Sequence, residues 1–177
     1  MDSFVGIDAS SKRVAIAHVT SKGKLLGHHY FETNNSNPMV DYAQRFNTIM
    51  DYLLVECMSY TAKLTLRGIF VEDAYMGVSR RGSVNHAKVV GNVLAACSVY
   101  SLDTDHSTVT TIMPATWRSR CGIKGRGKEP VAIWATERWP EGGLDNQDLI
   151  DAACIAYAGA QIAAEQHIDN LRNKGSI

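Results

Sequence analysis

The chain is poor in cysteine, with four in 177 residues. Cys57, Cys97, Cys121 and Cys154 lie tens of residues apart, with no CxxC pair and no histidine at zinc-ligand spacing. Neither a zinc site nor a disulfide scaffold is therefore expected, and each cysteine reads as a small hydrophobe on or beside a helix. No window approaches the ~18 consecutive apolar residues that cross a bilayer. No basic-then-apolar leader opens the chain, so no membrane association and a cytoplasmic location are expected. "GIKGRGK" lacks the GxxxxGK[ST] frame, which leaves nucleotide hydrolysis, and a nucleotide cofactor, without support. Net charge is lacking too: 18 Lys and Arg balance 18 Asp and Glu. A surface coated in positive charge for nucleic acid is thereby disfavoured.

What is present fits a soluble α/β domain. At 177 residues, with a 45% hydrophobic and 20% charged composition, the chain suffices for one domain, 1–177, burying its own core. The charges are unevenly spread. From Ile112 to Lys128 come Arg118, Arg120, Lys124, Arg126 and Lys128 with no acid, and from Gly77 to Tyr100 come Arg80, Arg81 and Lys88, again with no acid. Two such segments in a neutral chain fit a localised anion-binding face, and equally two solvated surfaces.

Ser3–Asp8, "RVAIAHV" and "KLLGHHYF" read as three strands, with the hairpin chemistry of "TSKGK" between the last two, so an antiparallel meander is expected. Asn37 suits an N-cap and Pro38 the first helical turn. Apolar residues from Met39 to Cys57 at three- and four-residue spacing then predict a long amphipathic helix. "GIFVE" (Gly68–Glu72) is a further strand. A Gly/Ser/Arg loop leads to a helix over Val84–Leu102, a strand over Ser107–Met113, a glycine-spaced basic loop and a short helix over Lys128–Glu137. A last helix starts near Asp148, and the tail, about 168–177, is expected to fray. The order predicts an α/β fold with a mixed five-stranded sheet flanked by helices.

Two buried strands end on carboxylates, Asp8 in "VGIDAS" and Glu72 in "GIFVE". A charge there is expensive unless paired, hydrogen-bonded or bound to a cation. On neighbouring strands the two would stand about 5 Å apart. In "LDNQDLIDAACIAYA", Asp148 and Asp151 share one helical face near its first turn. An oxygen-only set of this kind suits magnesium or manganese better than zinc or iron. The competing reading is that Asp145 and Asp148 merely complement the helix dipole.

These residues resemble a family, the RuvC-type Holliday junction resolvases of the ribonuclease H-like superfamily, over about Val5–Ala164. "GIDAS" resembles the family's first-strand "GIDPG". "FVEDAYMGVSRRGSVNHAKVVGNVLAAC" resembles its second acidic block, with Tyr75 in the place of the aromatic that follows the Glu. "DLIDAACIAYA" resembles the closing "DxxDAxxIA". "PATWRSRCGIKGRGKEPV" is similar to the version in phage-encoded members. The resemblance implies a ribonuclease H-like fold and a metal and catalytic set of Asp8, Glu72, Asp148 and Asp151, holding two magnesium ions for which manganese can substitute. It places Arg118 and Lys128 near the scissile phosphate, with Lys124 and Arg126 competing for that role. Tyr75 would stack on an unpaired base or, alternatively, sit in the core. Arg80 and Arg81 would face DNA. It further implies a homodimer that nicks four-way junctions in pairs, leaving 5′-phosphate and 3′-hydroxyl ends, in bacterial or phage-infected host cytoplasm. The alternatives are a broader branched-DNA nuclease, a ribonuclease H, or a non-catalytic junction-binding protein. Trp117, Trp134 and Trp139 read as core anchors.

Overall fold

Alternation in the first thirty residues builds the sheet. The computed structural model describes residues 1–33, 37–57, 64–74, 80–104 and 107–173. Strands β1 (Asp2–Ala9), β2 (Arg13–Thr20) and β3 (Leu25–Glu32) form the expected meander, antiparallel at both pairings. Helix α1 (Pro38–Asp51) starts as expected, with the Asn37 side chain accepting the Met39 N–H at 3.0 Å, and continues as a π-helical turn, Tyr52–Cys57. Strand β4 (Thr65–Glu72) pairs parallel with β1, and β5 (Thr108–Ile112) pairs parallel with β4, giving the order β3-β2-β1-β4-β5. This is the mixed five-stranded sheet that the element order predicts.

The period-two alternation assigns one layer of helices to each face. Val5, Ile7, Val14, Ile16, Ile69 and Val71 point towards α1 and towards α2 (Arg80–Thr104). Phe4, Ala15, Ala17 and Phe70 point the other way, towards α3 (Pro114–Arg120), α4 (Glu129–Arg138) and α5 (Gln147–Asn173). On that second face the side chains are small where α5 crosses β1. A methyl carbon placed on Gly6 would lie within 3.0 Å of backbone atoms of Ala152 and Ala156. Glycine is required there because the helix backbone rests almost on the strand.

Three elements differ from the sequence reading. Helix α3 was not expected, because seven residues are too few to show a helical period. Helix α2 begins at Arg80 instead of Val84, taking in a Gly-Ser segment that reads as loop. The end of α5 is helical to Asn173, correcting the expectation of fraying from 168. Its exposed last turns are solvated and carry an Asp169–Arg172 ion pair at 3.7 Å. Residues 174–177 lie outside the described part. No helix among the described residues is long and apolar enough to cross a membrane.

Candidate metal centre

The parallel register of β1 and β4 pairs Ile7 with Val71, so Asp8 and Glu72 follow as neighbours at the same sheet edge. Ile7 and Val71 point towards α1 and α2, so their successors point towards α5. Asn146 starts that helix: its side chain accepts the Leu149 N–H at 2.9 Å and its carbonyl the Ile150 N–H at 3.2 Å. Capping thus falls to Asn146 and not to Asp145 or Asp148. Asp148 and Asp151 are left free to face the strand ends from the first turns of α5.

Asp8 feels the charge of the other three carboxylates. Burial, then the charges of Glu72, Asp151 and Asp148, raise the Asp8 carboxyl well above its usual range, against a smaller opposing pull from Lys128. Burial first, with Asp151 adding to it, pushes Glu72 up to about 7. Asp151 is pushed up to about 6 by burial and by Asp148. Three of the four have a donor: Trp117 Nε1 to Glu72 Oε2 at 2.8 Å, Gln147 Nε2 to Asp151 Oδ1 at 2.8 Å, and Arg13 Nη1 to Asp148 Oδ2 at 3.3 Å. No hydrogen bond from a described residue meets the Asp8 carboxylate.

The donors are all hard oxygens carrying like charge, which is the chemistry that fits Mg²⁺ or Mn²⁺ and disfavours softer metals. Among the described residues no three His, Cys, Asp or Glu side chains are drawn tightly enough to form a ready-made ligand shell. Like-charge repulsion opposes closer approach, and Glu72, Asp148 and Asp151 turn to donors of their own, leaving Asp8 without one among the described residues. A divalent cation would remove the repulsion that Asp8 suffers.

Two cations border the cluster. Lys128 lies exposed at the start of α4 and acts on Asp8 and Asp151, while Arg118 acts on Glu72 and Asp151. Lys124 and Arg126 are exposed on the same loop and are not among the charges acting on these carboxyls. The loop has a defined shape. Gly122, Gly125 and Gly127 all adopt positive φ, and Arg118 Nη2 donates to the carbonyls of Gly125 at 3.3 Å and Gly127 at 2.9 Å. Arg118 therefore holds the loop that presents Lys128. Arg81 is exposed near the start of α2. Tyr75 and the side chain of Arg80 lie outside the described part.

Sequence reasoning missed the residues that engage the carboxylates. Trp117 is buried as a core anchor and also meets Glu72. A signal existed for Gln147, which stands four residues before Asp151 at helical contact spacing. None existed for Arg13 or for Gly6, whose partners lie across the fold.

No protein-family model and no curated protein sequence matches the chain. Among solved structures, RuvC of Thermus thermophilus in complex with a Holliday junction substrate superposes with a TM-score of 0.72 at 17% identity, covering 93% of this chain and 96% of that one. A second Thermus thermophilus RuvC structure gives 0.70 at 18% identity with the same coverage. The yeast mitochondrial Holliday junction resolvase Ydc2 gives 0.50 at 17% identity, over 96% of this chain and 83% of that one. At these identities the likeness is one of fold, and that fold is ribonuclease H-like.

Proposed function

We propose that this chain, which has the fold of the RuvC-type Holliday junction resolvases, is a metal-dependent, structure-selective DNA endonuclease that cuts four-way junctions by paired symmetric nicks. The observation that carries the reading is the gathering of four carboxylates from β1, β4 and α5 beside Lys128 and Arg118. A protein that only bound a polyanion would gain nothing from four clustered anions. Asp8, Glu72, Asp148 and Asp151 would hold two magnesium ions, or manganese in their place. When bound, such ions supply activation of the attacking water and stabilisation of the leaving 3′ oxygen.

The chain's own residues have separable tasks in this reading. The carboxylates orient the centre, and burial in the edge between β1, β4 and α5 keeps bulk water from screening it. Lys128 offsets charge that builds on the phosphate during cleavage, an electrostatic contribution made mainly in the transition state. Arg118 fixes the glycine loop and so fixes Lys128. Arg80, Arg81, Lys124 and Arg126 contact the DNA backbone, and Tyr75 stacks on an unpaired base. The products carry 5′-phosphate and 3′-hydroxyl ends. Two active sites are needed for two strands, and a two-fold homodimer matches the near two-fold symmetry of the junction. The single domain, 1–177, acts in the cytoplasm.

Purified chain with magnesium should nick synthetic four-way junctions at symmetry-related positions, and Asp8→Asn or Glu72→Gln should bind the junction without cutting it. Normal cleavage by those variants would sink the assignment of the metal centre. Equal rates on forks or linear duplex would shift the reading to a broader branched-DNA nuclease. Tight junction binding with no metal-dependent nicking would make the protein a binder.

A further inference from the structure

The turn that follows Asp8 is held from the far face of the sheet, by residues outside the carboxylate cluster. Four consecutive carbonyls are engaged there. His86 Nε2, from α2, meets Ala9 O at 3.1 Å. Arg45 Nη2, from α1, donates to Ser10 O at 3.5 Å and Ser11 O at 3.1 Å, and lies 3.4 Å from Thr33 Oγ1. The Thr33 N–H donates to Lys12 O at 2.7 Å. Arg45 therefore stands at the centre of a clamp on the β1–β2 turn.

Arg45 is an odd choice for stability alone. It is completely buried, and its Nε and Nη1 have no hydrogen-bond partner among the described residues. Its charge is offset by Asp41, one helical turn earlier, and its guanidinium lies 5.8 Å from the centre of the Tyr42 ring. A buried guanidinium with two unpartnered nitrogens is destabilising relative to an apolar side chain of similar length. What it supplies is restraint on a strand end that needs it, because the carboxylate of Asp8 is repelled by Glu72, Asp151 and Asp148.

We infer that Arg45 is a positioning residue for Asp8, clamping the Ala9–Lys12 turn so that the strand end keeps its place among the other carboxylates. Its consequence for cleavage rests on the endonuclease reading, while its consequence for the turn does not. Arg45 touches neither the carboxylates nor the space between them, so it acts only through the backbone. A cavity of about 190 Å³, lined by Ser11, Asp41, Tyr42, Arg45, Asn85 and Val89 among others, adjoins the guanidinium. That space allows a small cation to replace a truncated side chain.

The test uses the full chain bearing Arg45→Met or Arg45→Ala, with amide exchange over residues 9–13, thermal midpoint, and junction-cleavage kcat and KM as readouts. Arg45→Met should melt at or above the wild-type midpoint, exchange the turn amides at least tenfold faster, and lose at least tenfold in kcat with KM unchanged. Millimolar guanidinium should restore kcat and turn protection to Arg45→Ala, which keeps the test decisive should the methionine variant not fold. Unchanged turn exchange in a folded variant would overturn the proposal, as would unchanged kcat. If the wild-type chain cuts no junction, the endonuclease reading fails, and the exchange and rescue measurements still decide the role of Arg45.

Discussion

Replacing Gly6 with alanine probes a backbone-to-backbone contact, where α5 crosses β1. The added methyl would fall within 3.0 Å of Ala152 and Ala156 backbone atoms, including the Ala156 Cα at 2.9 Å, where ordinary contact begins near 3.4 Å. Backbone cannot swing aside as a side chain can, so the helix must lift by roughly 1 Å or the strand must buckle. Overpacking of this kind costs typically 1–3 kcal/mol, and about 3 kcal/mol is expected where both surfaces are backbone. For a chain of this size that is a fall of about 6–12 °C in thermal midpoint. The same movement separates Asp148 and Asp151 on α5 from Asp8 and Glu72 on the strands. Misplacement by about 1 Å can cost about 100-fold in rate, so divalent-cation affinity and junction cleavage should fall together. Gly91→Ala is the control: that position lies inside α2 with nothing within 4 Å of a new methyl. It should be neutral or stabilising by up to about 1 kcal/mol. Calorimetric melting and cation titration of both variants give the comparison. If Gly6→Ala melts and binds cations like the wild type, the helix does not rest on the strand as described.

Trp117→Phe keeps the ring in the core but removes the donor to Glu72, and should cost about 1–3 kcal/mol in denaturant unfolding, with Glu72 holding its proton to higher pH. A loss under about 0.5 kcal/mol would show that the bond is idle. Arg13 is exposed, so Arg13→Ala should leave stability nearly unchanged. It removes the competitor for Asp148, and divalent-cation affinity measured by calorimetry should rise; a fall would contradict competition. Burial lowers the imidazole of His18, on β2, to about 4. The unfolded chain takes up that proton near 6.5 and the folded chain only near 4. Stability is therefore full above about pH 6.5 and declines by about 3 kcal/mol as pH falls towards 4. The loss of unfolding free energy between pH 7 and pH 4, read from urea titrations, should shrink by that amount in His18→Gln, and an identical pH dependence in both proteins would refute the assignment.

Much of the fold was legible because its signals are local. The alternation in "RVAIAHV", the Asn37-Pro38 start of α1 and the spacing of Val89, Val93, Ala96 and Tyr100 along α2 each depend on neighbours a few residues away, and all appear in the structure. Gly68 misled the reading of β4, which runs three residues further back to Thr65, because a glycine inside a strand looks like a boundary. The candidate site was legible to the same depth. That β1 carries Asp8 at its last residue but one and β4 carries Glu72 at its last, and that Asp148 and Asp151 share a helical face, are facts of local periodicity.

The sequence by itself determined which carboxylates stand at strand ends and on one helical face, which loop is basic, and which elements form the meander. Only the tertiary structure decided that these acids meet on the α5 side of the sheet, and what each one touches. Trp117 reaches Glu72 across 45 positions in the chain, and Arg13 reaches Asp148 across 135. Contacts of that separation leave no periodic trace, because they are set by how the layers pack and not by covalent neighbours. Arg45 is the extreme case. In sequence it is one more cation on an amphipathic helix, and only burial beneath the Ser10–Ser11 carbonyls sets it against the turn that follows Asp8.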